Sequence, residues 1–366
     1  MKIALFSPNQ NPYSETFIQA HKNYLKGDVF FYYGRGLNIK LENHPKIGSH
    51  LMSNFLKVVR AFGKKSDTFV EEQLVSKSLK KNKIDVVLVE YGHHANHLLP
   101  IIKRSGLPLV VHFHGYDASV KELIEKQKGY TALFNYASKI IAVSRDMEQK
   151  LLDLGCPKDK LCYNANAAQP EFLEIVPTFA KKQFISIGRF KGKKAPYYTI
   201  LAFMEVLQKH PDAKLLMAGN GVLHEVCENL VNFFGLENNV RFLGVITPEE
   251  CCKLMESSLA YVQHSITTKD GDMEGMPISI LEASSAGLPV IATFHAGIKD
   301  VIIHEENGLL CNEHDVKTMG QHMLRLLDDL TFSQKLGTAG KARIKSSFNF
   351  DQHISGIQQV LESVLR

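Results

Sequence analysis

The stretch LAYVQHSITTKDGDMEGMPISILEASSAGLPVIAT, residues 259–293, decides the fold. Residues 259–265 form a short run that is apolar nearly throughout. That is the pattern of a strand buried on both faces, not of one with a wet side. Residues 265–276 are polar and acidic and include two glycines, the composition of a loop. Pro277 suits the first turn of a helix, Gly287 its end, and Pro289 prevents the helix from continuing. PVIAT then opens a second buried strand. Strand, loop, helix and strand in this order make one βαβ unit of a parallel sheet.

The same alternation runs outward in both directions. KIALFS, DVFFYY, DVVLVEY, PLVVHFHG and KIIAVS are strand candidates in the first half, and QFISIG, AKLLMAG, VRFLG, LAYVQHS and PVIAT in the second. Each is followed by an amphipathic stretch, so the α/β class with two doubly wound parallel sheets is expected. NANAAQPEFLEIVPTFAKKQ, at 164–183, holds two prolines and reads as a linker. The expected domains are 1–170 and 181–345, followed by a terminal helix over 346–366.

Composition narrows the class further. With 366 residues, 45% apolar and 22% charged, the chain reads as soluble, globular and large enough for two cores. No apolar run approaches the length of a membrane span. MKIALFSPNQ reads as a first buried strand rather than a signal peptide. Six cysteines without a CxxC pair imply a reduced, cytoplasmic protein. The net charge of +5 is uneven: residues 40–83 hold ten Lys/Arg against four Asp/Glu. That argues for a local anionic partner and against a general nucleic-acid binder. Within it, LMSNFLKVVRAF (51–62) places Leu51, Phe55, Val58, Val59 and Phe62 on one stripe beside Lys57 and Arg60. Such a helix either lies on an anionic bilayer or packs its stripe onto its own sheet.

Candidate chemistry gathers at strand ends. Glu274 and Glu282 flank Gly275, Met276 and Pro277, at a helix start whose unpaired N–H groups suit an anion. Glu282 lies about 7 Å further along the helix axis than Pro277. SIGRFKGKKAP (186–196) offers Arg189 and Lys194, a guanidinium fork and a point charge suited to a diphosphate. MAGNG supplies Gly219 and Gly221, which permit close backbone approach to a ligand. HFHGYD ends a strand of the first half with His114 and Gly115. Each feature taken alone is equally a solvated loop or an ordinary helix glutamate. His93, His94 and His97, with His112 and His114, raise a metal reading, but no matching third-ligand pattern follows and no metal is expected.

Together these residues resemble the retaining glycosyltransferases of family four, also called group 1, which have the GT-B fold. The family's E-x7-E is EGMPISILE at 274–282, its GR-x4-K loop is GRFKGKK, and its first-domain HG(Y/F)D element is HGYD at 114–117. SETFI at 14–18, with HFHGYD, is most similar to the branch building bacterial exopolysaccharide and lipopolysaccharide. The resemblance implies two Rossmann-like domains facing a cleft, acceptor-binding first and donor-binding second. The terminal helix would cross back to the first domain. It implies a metal-independent transferase that needs no cofactor and takes a nucleotide sugar as substrate, UDP ahead of GDP. The acceptor would be a saccharide or lipid-linked saccharide, met in the cytoplasm or at the inner face of the cytoplasmic membrane. Arg189, Lys194 and the amides near Gly275, Met276 and Pro277 would hold the diphosphate, with Gly219 and Gly221 close by. Glu282 would hold the ribose, and Glu274 and His114 the donor sugar. The sequence departs from the family at PNQNPYSE, at NANAAQ and at Ala195, where glycine is common. A sugar-nucleotide 2-epimerase and an inactive carbohydrate-binding homologue are the alternatives.

Overall fold

The computed structural model describes all residues except 11, 13, 14, 36, 37, 45, 46, 48, 49, 64–68 and 366, and gives residues 50–53 as backbone only. The chain clusters into two compact units. One comprises Met1–Val143, Met147–Asn164 and His353–Arg366, the other Ser144–Asp146 and Ala165–Gln352.

The first unit is built on β1 (Lys2–Ser7), β2 (Asp28–Tyr33), β3 (Lys40–Leu41), β4 (Val86–Glu90), β5 (Leu109–Phe113), β6 (Lys139–Ala142) and β7 (Leu161–Tyr163). Their order is β3-β2-β1-β4-β5-β6-β7, parallel throughout except for β2 with β3. Every residue of β4 and β5 is buried, which is why neither alternates in polarity. The second unit holds β8 (Gln183–Ile187), β9 (Lys214–Ala218), β10 (Val240–Gly244), β11 (Ala260–Gln263), β12 (Val290–Thr293) and β13 (Leu309–Cys311). These form an all-parallel sheet ordered β10-β9-β8-β11-β12-β13. Its core gathers Phe184, Phe203, Leu215, Val262 and Ile291 with Met319 and Met323 of the helix Val316–Asp328.

All ten apolar runs are strands. The three strands without a counterpart in the sequence reading, β3, β7 and β13, lie at sheet edges and are two or three residues long. No periodicity can be read from so few positions. In each sheet the strand order reverses once, between β1 and β4 and between β8 and β11. Ligands of doubly wound sheets bind outside the carboxyl ends at such reversals.

The segment read as a linker is instead packed structure from Ala165 onward. It buries Ala167, Ala168, Phe172 and Ile175 and forms a short turn of helix at Pro170–Glu174. Asn166 Nδ2 also donates to the Met276 carbonyl at 3.3 Å. Apolar side chains among the polar ones hold it down, a pattern that its two prolines mask. The last helix, Phe350–Ser363, buries Ile354, Ile357 and Leu361. Its residues from His353 onward belong to the first unit.

The helix His50–Phe62 corrects one of the two readings of the basic segment. Phe55, Val58 and Phe62 stand in solvent, Phe62 at 88% exposure, so the stripe does not pack onto the sheet. Val59 is half-buried, while the side chain of Leu51 lies outside the described residues.

Candidate functional site

β11 pairs with β8 in the register Ala260–Phe184 and Tyr261–Ile185, so the loops leaving their carboxyl ends rise side by side. One loop carries Arg189 and a single helical turn, Gly192–Lys194, before the helix Pro196–Lys209. The other runs from His264 to Pro277. Two adjacent lysines tie them together. Lys194 Nζ lies 2.8 Å from Glu274 Oε1, while the buried Lys193 donates to Asp272 Oδ1 and to the Met273 carbonyl, both at 3.0 Å. Gln263 sits between: its Oε1 accepts from Lys194 at 3.2 Å, and its Nε2 donates to Ser265 Oγ at 2.8 Å. The backbone N–H of Glu274 donates to His295 Nε2 at 3.1 Å. That leaves the His295 proton on Nδ1, 2.6 Å from Glu313.

Electrostatics follow from this packing. Burial alone would raise the Glu274 carboxyl, but Lys194 and Lys193 outweigh it and hold the group at about 2. Lys194 is therefore not a bare cation awaiting phosphate. The sequence separates the two roles, whereas the structure pairs the two groups, so a bound phosphate must share Lys194 with Glu274. Arg189 lines a recess with Gly188, Lys194, Met217 and Gln263. Glu282, in the helix Ile278–Ala286, is half-buried; burial and neighbouring Glu171 push its carboxyl up to about 7 against the pull of Lys194.

The glycines of MAGNG are required by the chain's own backbone. Gly219 has φ +123°, and a Cβ there would stand 2.0 Å from the Gly188 carbonyl oxygen. A Cβ at Gly221 would come within 2.5 Å of that of Phe190. Their close approach is to the chain's own Gly188–Phe190 backbone, which they let lie flat against the next loop. Pro277 also sits one residue earlier than expected: it caps the helix in an extended conformation. The helix amides without an internal partner therefore begin at Ile278, and Met276 is a buried residue ahead of them. Gly275 offers its carbonyl to the Gly297 N–H at 3.1 Å. Ala195 adopts φ +33°, so the family's usual glycine is missing where its freedom would be used.

In the first unit, the HGYD element is organised by its aspartate. The buried Asp117 accepts from the backbone N–H groups of Gly92 at 2.8 Å and of His114 and Gly115 at 3.0 Å. Gly115, at φ +139° and ψ −86°, adopts a backbone open only to glycine. The His114 ring packs on Phe17 at a centroid distance of 4.4 Å, and its Nε2 lies 2.6 Å from Glu90 Oε2. Phe17 is the phenylalanine of SETFI.

The histidines of GHHANH do not assemble. His97 faces Glu71 at 3.4 Å, and burial together with His93 and His97 brings His94 down to about 3. Among the described residues, the group with metal-ligand spacing is instead His21, Glu90 and His112, all fully buried. Sequence reasoning missed it, along with Lys193 and Gln263, because these residues come from separate elements at no fixed spacing.

Comparison with known proteins places this geometry. The family model for group 1 glycosyl transferases matches residues 174–343, and that for glycosyltransferase family 4 matches residues 55–171. The chain is 28% identical over 301 residues to the amylovoran biosynthesis glycosyltransferase AmsK of Erwinia amylovora, covering 80% of this chain and 73% of that one. It is 26% identical over 258 residues to WcaL of Escherichia coli K12, named for colanic acid biosynthesis, covering 69% and 63%. The crystal structure of Anabaena Alr3699/HepE in complex with UDP and glucose superimposes with a TM-score of 0.77 at 16% identity, covering 99% of this chain and all of that one.

Proposed function

The chain belongs to the group 1 glycosyl transferases and has the GT-B fold, and from that premise we propose a retaining, metal-independent transferase acting on a nucleotide diphosphate sugar. The donor is UDP-linked, and the acceptor a saccharide or lipid-linked saccharide of a cell-surface polysaccharide. The observation that carries the reading is the Lys194–Glu274 pair set at the reversal of the second sheet. The relatives named for amylovoran and colanic acid assembly support the acceptor class, and the UDP held by a protein of the same fold supports the base.

In the proposed reaction the acceptor hydroxyl forms the new bond to the anomeric carbon as its bond to the diphosphate oxygen breaks. The leaving phosphate oxygen takes the acceptor proton, attack and departure share one face, and configuration is kept. Negative charge grows on the diphosphate, where Arg189, Lys194 and the helix amides from Ile278 onward stabilise it in place. Glu282 accepts from the ribose hydroxyls. Glu274 and His114 contact the donor sugar. The test is a screen of UDP- and GDP-sugars for nucleotide release with and without saccharide acceptors, with the anomeric configuration of the product read by NMR. An inverted product would overturn retention, and release only from GDP-sugars would overturn the base.

Metal independence has its own test. Because fixed cations take the place of a divalent ion, turnover in excess EDTA is expected to match turnover without it. Full loss on chelation, restored by one divalent ion, would refute this.

The exposed stripe of helix His50–Phe62 supports a second element of the reading, contact with an anionic bilayer. No helix among the described residues is long and apolar enough to cross a membrane. Vesicles containing phosphatidylglycerol are expected to bind the protein and to lose it at high salt. Burying a phenylalanine is worth about 1.5–3 kcal/mol, so Phe55→Ser with Phe62→Ser is expected to weaken binding by more than about tenfold. Nucleotide affinity should not change. Equal binding of variant and wild type in a sedimentation assay would remove the helix from any membrane role.

A further inference from the structure

His114 ends a chain of buried hydrogen bonds whose protons the geometry orders one by one. The chain begins at Asn164, whose Nδ2 lies 3.1 Å from the backbone oxygen of His353 and 3.2 Å from His353 Nδ1. A carbonyl oxygen only accepts, so the amide nitrogen faces the helix and His353 Nδ1 is an acceptor too. Gly356 makes room for this, since a Cβ there would stand 2.1 Å from Asn164 Oδ1. The His353 proton is therefore on Nε2, and it points at His21 Nε2, 2.9 Å away. His21 in turn carries its proton on Nδ1 and donates to Glu90 Oε1 at 2.7 Å. The other oxygen of Glu90 faces His114 Nε2 at 2.6 Å.

Burial alone would raise the Glu90 carboxyl, but His21 beside it, with His112 and His114, holds the group well below the ordinary range. An ionised carboxylate accepts from both sides, so His114 Nε2 carries a proton. His114 Nδ1 is buried and has no hydrogen-bond partner among the described residues. As they stand, the contacts at Glu90 have the spacing of hydrogen bonds rather than of ligands around an ion. Two ligands of one tetrahedral zinc stand roughly 3.3 Å apart, whereas His21 and Glu90 touch at 2.7 Å.

We propose that Glu90, anchored through His21 and His353 to Asn164, is a positioning residue that holds His114 with its proton on Nε2 and leaves Nδ1 a bare acceptor. His114 then receives a hydrogen bond from a donor-sugar hydroxyl instead of giving one. This rests on the reading of His114 as a sugar contact, but the ordering of the chain stands apart from it and is tested apart.

Long-range proton–nitrogen NMR of the histidine-labelled full chain reads each tautomer directly, with His114→Gln and His21→Gln spectra for assignment. Wild-type protein should show His114 protonated on Nε2 and bare on Nδ1; the opposite tautomer or an imidazolium overturns the proposal. So does one equivalent of tightly held zinc in the purified protein, because coordination would consume the lone pairs of the chain. Glu90→Gln sharpens the test. Its amide has one acceptor oxygen and one donor nitrogen, and His21 is pinned as a donor from the Asn164 side. The nitrogen must therefore turn to His114 and drive its proton onto Nδ1. With that flip, kcat for sugar transfer should fall about ten- to a hundredfold while UDP affinity is unchanged. Adding His353→Leu frees His21 to turn over, so the double variant should recover the Nε2 tautomer of His114 and part of the lost kcat. Unchanged transfer in a flipped Glu90→Gln enzyme would overturn the positioning role. Wild-type protein that transferred no sugar would instead overturn the transferase reading, with the tautomer spectrum still deciding the chain.

Discussion

Lys194→Met is expected to lower kcat/KM for the donor by about a hundred- to a thousandfold, the usual effect of losing one preorganised charge contact at a developing anion. It is also expected to destabilise the fold, for a separate reason. Lys194 is paired with Glu274 at 2.8 Å, and their side chains are only 15% and 8% exposed. Removing one partner of a buried pair costs about 3–5 kcal/mol, because the other charge is stranded. The low end applies here, since Lys193 and Gln263 remain near Glu274. The double variant Lys194→Met/Glu274→Gln should regain most of that stability and none of the activity. Denaturant melts beside steady-state kinetics separate the two effects; a double variant as unstable as the single would mean the pair matters little to folding. Acid supplies an independent check. Glu274 titrates near 2 in the fold, below its ordinary value, so its stabilisation is present above the ordinary carboxylate range and lost as pH falls towards 2. Lys194→Met and the double variant should converge in acid, where a protonated Glu274 is as neutral as the glutamine.

Glu282→Ala is expected to weaken nucleotide binding about ten- to a hundredfold, as for a charged acceptor that loses its hydroxyl donors, with little effect on kcat once the site is saturated. The wild-type affinity should also depend on pH in a definite direction. The Glu282 carboxyl stands near 7 in the ligand-free fold, so accepting from ribose requires it to release a proton. Affinity should rise from pH 6 to pH 8, and calorimetry in buffers of different ionisation heat should detect that release. Glu282→Gln abolishes both effects. The sign for stability is opposite to that of Glu274. With a folded value raised above the ordinary one, the native chain holds a proton that the unfolded chain has given up. Stability therefore falls as pH rises through the window between the ordinary carboxylate value and about 7. A pH-independent affinity would place the ribose elsewhere.

The two sheets were legible because full burial leaves a plain mark: a strand such as β4, covered on both faces, reads as an unbroken apolar run. The edge strands β3, β7 and β13 leave no such mark. The candidate residues of the second unit could be read too, since Arg189, Lys194, Glu274 and Glu282 lie on loops and a helix start that follow legible strands. Their pairing was not legible. That Lys194 meets Glu274, and that Gly219 backs onto Gly188, depend on the β8–β11 and β8–β9 registers, which no local spacing encodes. The buried network in the first unit was least accessible. His21, Glu90, His114 and His353 come from four separate stretches of the chain, and only His114 carries a sequence signal, through HGYD.

The last helix bears on the order in which the protein comes to exist. Residues 353–366 follow the whole of the second unit in the chain yet complete the first. A ribosome therefore delivers β1 to β7 long before His353, and until that residue emerges His21 lacks its partner on Nε2. The second unit, drawn almost entirely from one continuous span, can close while the first still waits. During synthesis, the unit that begins first is the one finished last.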